Sequence, residues 1–230
     1  MLKSPSVRCG HHRRAPPMYR LHGLAQSGNT FKVAFALRVL QQPCELVFVD
    51  FMNAATRSPQ WRAELNPMGE IPVLDDGPRR LTQSGAILTL LARRHGALGG
   101  RDDDEQFEVL RWLLFDNHKF TSYFATWRYM KSFAPTPPDP AVRAFLMPRI
   151  ENCFGIVEQH LSGREFLVGD ALTIADLSLS GYLFFPTEES GIDLPARYPA
   201  IARWVQRLRE VPGWQDPYDM LPGERIAPKW

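Results

Sequence analysis

Hydrophobic and polar positions follow two styles along this chain, and the change falls near residue 97. Before it, short apolar runs alternate with helical patterns. Residues 19–23 read as a strand. Val33, Leu37 and Leu40 recur at helical spacing and predict a helix over 30–41, closed by Pro43. Residues 45–51 contain Leu46-Val47-Phe48-Val49, a run suited to a buried parallel strand. A weak helical pattern covers 58–65. Residues 71–74 and 79–82 predict two strands paired across an Asp76-Gly77 turn. Residues 84–95 predict a helix whose last turn holds Arg93, Arg94 and His95 before Gly96, a favourable arrangement at the negative helix end. The order is β-α-β-α-β-β-α.

Residues 97–103 read as a linker, and beyond them strand signals vanish. Residues 104–132 form one aromatic-rich helical stretch, and 135–140 a proline-rich break. A helix over 141–161 contains Pro148, which predicts a kink or a boundary there. Two further helices are expected over 173–185 and 199–211. The domain plan is an extension (1–17), an α/β domain (18–96), the linker, and an all-α domain (104–230).

Composition narrows the class. The chain has 230 residues, 44% hydrophobic and 23% charged, typical of a globular protein and unlike a disordered one. No apolar run is long enough to span a membrane. Three scattered cysteines disfavour a disulfide framework and a structural zinc site. The net charge of +2 hides an asymmetry: Lys3, Arg8, Arg13 and Arg14 precede any acid, and without them 23 basic residues face 25 acidic ones. The body is therefore mildly acidic, which argues against nucleic acid as a partner. The first 17 residues lack the apolar core of a secretory signal and read as an unstructured extension, with Met18 as the working start. A cytoplasmic location is expected, with no membrane association. His22, His95, His118 and His160 show no metal-ligand spacing and read as structural.

Three local features carry candidate chemistry. Gln26-Ser27-Gly28-Asn29-Thr30 lies where the first strand meets the first helix, and Ser27 and Asn29 can cap that helix or donate to an anion. In Asn66-Pro67-Met68-Gly69-Glu70-Ile71-Pro72-Val73-Leu74, Pro72 falls at a strand start. It is either an edge proline or the second residue of a cis Ile71–Pro72 bond that offers the Ile71 backbone to an extended ligand. In Leu81-Thr82-Gln83-Ser84-Gly85, Ser84 opens a helix, as an N-cap or as part of a carboxylate site with Gln83. Taken singly, each feature is explained by capping or by an ordinary proline.

Their order on one β-α-β/β-β-α frame resembles the cytosolic glutathione transferases, of the bacterial serine or asparagine type. The first half is similar to their thioredoxin-like domain, and the second half to their all-helical domain. There Thr173-Ile174-Ala175-Asp176 matches a capping box. The likeness covers residues 18–215. It implies that glutathione is the co-substrate, with no metal, and that the thiolate is conjugated to a small electrophile. It implies that Gln83 and Ser84 hold the γ-glutamyl end, that Ile71 with cis Pro72 pairs with the cysteinyl backbone, and that Ser27 donates to the sulfur with Asn29 as helper or substitute. Arg57 stays open as a partner for the glycine carboxylate. It also implies a homodimer built across the third and fourth helices. Asp116, Lys119, Tyr123 and Trp127, at helical spacing with Trp112, are candidates for the electrophile pocket, although core packing explains the aromatics and solvent the charges. Two rivals share the fold: a glutathione-dependent disulfide reductase or peroxidase, and a non-catalytic interaction module.

Overall fold

The computed structural model describes residues 19–230; the expected extension at 1–17 lies outside them. The first half contains β1 (Tyr19–Gly23), α1 (Gly28–Val39), β2 (Cys44–Phe48), α2 (Pro59–Glu64), β3 (Val73–Asp76), β4 (Arg79–Thr82) and α3 (Ser84–His95). The strands form one sheet in the order β2-β1-β3-β4. β2 runs parallel to β1, whereas β3 is antiparallel to both β1 and β4. Register aligns Leu46, Leu21, Leu74 and Leu81 in one row across the sheet. That row packs into the main core with α1 and α3, because residues directly opposite each other on paired strands share a face. The opposite face carries Val73, which packs with Val49 and with Trp61 of α2. This is the thioredoxin-like α/β arrangement.

The second half is helical: α4 (Asp103–Phe115), a π-helical turn (Asp116–Phe120), α5 (Thr121–Ser132), α6 (Pro140–His160), α7 (Ile174–Ser180), α8 (Thr187–Ser190), α9 (Leu194–Arg197), α10 (Pro199–Arg209) and α11 (Pro217–Met220). Phe120 stacks on Phe154, with ring centroids 4.8 Å apart. The capping box forms. Asp176 accepts from the Thr173 N–H at 2.9 Å, and Thr173 Oγ1 accepts from the Ala175 N–H at 3.2 Å.

Four expectations need correction. β2 is parallel but lies at the sheet edge, so none of its residues is fully buried and Phe48 is 53% exposed. The strand expected at 71–74 begins at Val73, leaving Ile71 and Pro72 outside the ladder. The helix expected at 173–185 ends at Ser180. Of the kink or boundary expected at Pro148, the boundary is absent, for the proline stands inside α6. Pro148 and Ala144, whose carbonyl loses its helical donor, are both exposed, so water takes the freed group.

The two halves lock through charge. Lys32 of α1 and Asp116 of the π turn are both fully buried, with Nζ donating to Oδ2 at 2.7 Å and to Thr121 Oγ1 at 3.1 Å. Ser178 of α7 also donates to Asp116. Burial lowers the pKa of the Lys32 ammonium, and the Asp116 carboxylate opposes that shift.

Candidate functional site

The loop before α1 is held from three directions. Ser27 caps the helix, its hydroxyl accepting from the Thr30 N–H at 3.1 Å. The Gln26 carbonyl accepts from Arg128 Nη1 of α5 at 2.8 Å. Arg128 is 3% exposed. It pairs with the buried Glu189 and lies over the Phe185 ring at 3.8 Å. From the far end of the chain, Pro222 accepts from the Ala25 N–H at 2.8 Å and Glu224 from the Gln26 amide at 2.6 Å. Residues 222–230 continue as a clasp to α5, where the Lys229 N–H donates to Ser132 O at 3.0 Å. Gly28 is required because a Cβ there would overlap the Tyr182 ring.

The start of α3 lies beside it. Gln83, and not Ser84, is the N-cap, with φ of 66° and ψ of 108° and no side-chain cap. A non-glycine residue at that φ is strained, and it is pinned by its amide donating to Glu70 Oε2 at 2.7 Å. Ser84 is the first helical residue, and its hydroxyl donates to Asn29 Oδ1 at 3.4 Å. The first turn of α3 carries no acid, so its free N–H groups and partial positive charge are left for an anion. Asn117 of the π turn reaches over from the helical half. Its amide nitrogen lies 2.6 Å from where a Gly85 Cβ would stand, so any larger residue at 85 displaces that amide.

Ser27, Asn29, Ile71, Pro72, Gln83 and Ser84 all line one cavity of about 500 Å³, a size that suits a small molecule. The Ile71–Pro72 bond is cis. The facing wall comes from Asn117, Thr121, Ala125 and Tyr129, with Phe51 and Met52 at one side. Among the described residues, Glu70 and Arg128 are the charged groups in the lining. Arg57 does not reach it.

Asp116, Lys119, Tyr123 and Trp127 do not line the cavity. Asp116 is consumed by Lys32, Thr121 and Ser178. Trp127 is core, its indole N–H donating to Ser190 O at 2.7 Å. Tyr123 packs against the same core, and Lys119 is exposed. The helical spacing of these residues holds only for an uninterrupted helix, and the stretch is broken by the π turn. The π turn adds a residue and shifts the phase of all that follows, and the aromatic stripe faces inward. Nor do the histidines enter the cavity. His22 meets Asp75 at 2.8 Å, and His160 meets Leu167 O at 2.8 Å. Among the described residues no His/Cys/Asp/Glu group has metal-site geometry.

Arg128, Asn117, Tyr129 and Tyr182 were missed by sequence reasoning. No local spacing relates them to Ser27 or Ser84. A single arginine among the aromatics of α5 was the one available signal.

Known proteins match both halves. Residues 21–100 match the glutathione S-transferase N-terminal domain and residues 124–212 the glutathione S-transferase C-terminal domain. The crystal structure of a glutathione S-transferase from Xanthobacter autotrophicus Py2 is 34% identical, covers 86% of this chain and 95% of that one, and has a TM-score of 0.78. The glutathione transferase URE2P8 from Phanerochaete chrysosporium, solved with oxidized glutathione, is 25% identical over 89% of this chain and 95% of its own, also with a TM-score of 0.78. Glutathione S-transferase 2 of Schizosaccharomyces pombe is 27% identical over 224 residues, 88% of this chain and 96% of that one. Fold, motif order and relatives agree: the chain belongs to the glutathione S-transferase family.

Proposed function

We propose that this protein is a cytoplasmic, homodimeric enzyme that joins the glutathione thiolate to small electrophiles. One observation carries the reading. Two helix N-termini, the Ile71 backbone and the hydroxyls of Ser27 and Ser84 converge on a single cavity. The γ-glutamyl carboxylate sits at the start of α3 with Ser84 and Gln83. The cysteinyl amide pairs with Ile71, which the ladder leaves free. The sulfur then reaches the start of α1, near Ser27 and Asn29.

A free thiol has a pKa near ~8.5, and lowering it by about two units takes roughly 2.7 kcal/mol of preference for the anion. A hydroxyl donor together with a helix dipole supplies that order of stabilisation. The proton leaves the sulfur, the thiolate forms a C–S bond to the electrophilic carbon, and the displaced electron pair departs with a leaving group or enters a conjugated acceptor. The electrophile rests on Ala125, Tyr129 and Phe133 of the second half and on Phe51 and Met52 of the first, the apolar share of the lining.

Reduction of a glutathione mixed disulfide is the second reading, and the relative solved with oxidized glutathione favours keeping it. Among the described residues no cysteine lines the cavity, and in this reading the reducing thiol is that of glutathione itself. Retention on immobilised glutathione, followed by parallel assays with an aryl halide and with a glutathione mixed disulfide, decides between them. Aryl halide turnover is the expected result. Turnover of the disulfide alone would transfer the assignment to the reductase, and failure to retain glutathione would defeat both.

A further inference from the structure

Tyr182 belongs to the helical half, yet it lies on the first turn of α1. After α7 ends at Ser180, Gly181 packs against Lys32 and the Gly28 carbonyl, and the chain turns. The Tyr182 ring then covers Gly28, leaving no room for a side chain there. Tyr182 lines the same cavity as Ser27 and Asn29. The ring therefore stands on the turn whose neighbouring residues are Ser27 and Asn29, at the wall of that cavity. The proposed function brings the sulfur to that turn, beside Ser27 and Asn29, on the part of the cavity wall that Tyr182 shares.

We propose that Tyr182 is a further catalytic residue, a second hydroxyl donor to the glutathione sulfur supplied by the helical half. The inference rests on the glutathione-binding reading above. Ser27 Oγ already accepts from the Thr30 N–H, and it has one hydrogen to give. A thiolate has room for more than one donor, and the phenol supplies the next. The charges near the ring are paired ones. Arg128 lies 5.7 Å from the ring centroid and is bound to Glu189, and Asp116 is bound to Lys32. Burial raises the phenol pKa, with the Arg128 charge and the Asn29 and Ser27 donors opposing. The phenol therefore keeps its proton at working pH, as a donor must.

The test is the pKa of bound glutathione, followed by thiolate ultraviolet absorbance against pH. Tyr182→Phe removes the hydroxyl and leaves the ring over Gly28. It is expected to raise the bound-thiol pKa by about one unit and to lower kcat/KM about tenfold below that pKa. The glutathione dissociation constant changes by less than about threefold, because the tripeptide is held mainly at α3. Replacement of Tyr182 by 3-fluorotyrosine, a more acidic phenol of the same shape, is expected to lower the bound-thiol pKa. It decides the matter should Tyr182→Phe fail to fold. A wild-type protein that depresses the thiol pKa, with both variants within about 0.2 units of it, overturns this inference alone. A wild-type protein that binds no glutathione overturns the proposed function and this inference together.

Discussion

Lys32 and Arg128 are two cations taken almost wholly out of water, and each is tolerated because it is paired with a buried carboxylate, Asp116 for Lys32 and Glu189 for Arg128. Lys32→Met leaves the Asp116 carboxylate buried without its counter-ion, and about 3–5 kcal/mol of stability is lost. Lys32→Met with Asp116→Asn removes both charges and is less destabilised than Lys32→Met alone; urea unfolding measures both. The two serines of the site differ in what they lose. Ser27→Ala removes a donor that strengthens as the thiolate forms, so kcat falls roughly tenfold or more while glutathione affinity stays within about threefold. Ser84→Ala removes a ground-state contact and raises the glutathione dissociation constant about tenfold. Steady-state kinetics and calorimetry separate the two. Ser27, Asn29, Gln83 and Ser84 were legible in the sequence because each sits at a helix start, where local pattern alone places it. Arg128, Asn117 and Tyr182 were not, because only tertiary packing brings them across.

The elements with strong local chemistry were read well. Even the weak pattern at 58–65 corresponds to α2, which is started by a Ser58 side chain that accepts from the Trp61 N–H at 3.1 Å. The start of α7 followed from Thr173 and Asp176. The errors arose where the periodicity itself changes, in the π turn, or where a strand's neighbours decide its burial, as in β2. Asp176 yields a prediction at this scale. Its carboxylate is fully buried and accepts from the Leu167 N–H, the Trp204 indole and the Thr173 N–H and hydroxyl. Burial nevertheless raises its pKa to about 6, above the ~3.9 of an unfolded chain. Between those values the native protein keeps a proton that the unfolded chain has released, so stability falls as pH rises from about 4 to about 6, by roughly 3 kcal/mol at most. Asp176→Asn abolishes that slope. It also costs about 1–3 kcal/mol at pH 7, because its amide cannot accept from both Thr173 donors. Denaturant midpoints for both proteins across pH 4–7 provide the check.

For the whole molecule, α4 presents Phe107, Leu110 and Leu114 to solvent, 65%, 52% and 62% exposed, at helical spacing beside a groove against α3. Apolar side chains clustered on one face of a helix suit a two-fold contact with a second copy. Leu110→Glu places a charge in that face and is expected to convert a dimer at micromolar concentration to monomer by light scattering, with the fold intact by circular dichroism. A wild-type monomer at the same concentration would remove this basis for dimerisation. The clasp at residues 222–230 makes the molecule vulnerable in a different way. It is mostly exposed chain held by a few hydrogen bonds, so a protease needs only to detach it locally and not to unfold a helix. One cut there frees Ala25 and Gln26 and leaves every principal helix whole. Ageing of a stored sample would then show first as fading turnover, in protein that still melts at its original temperature.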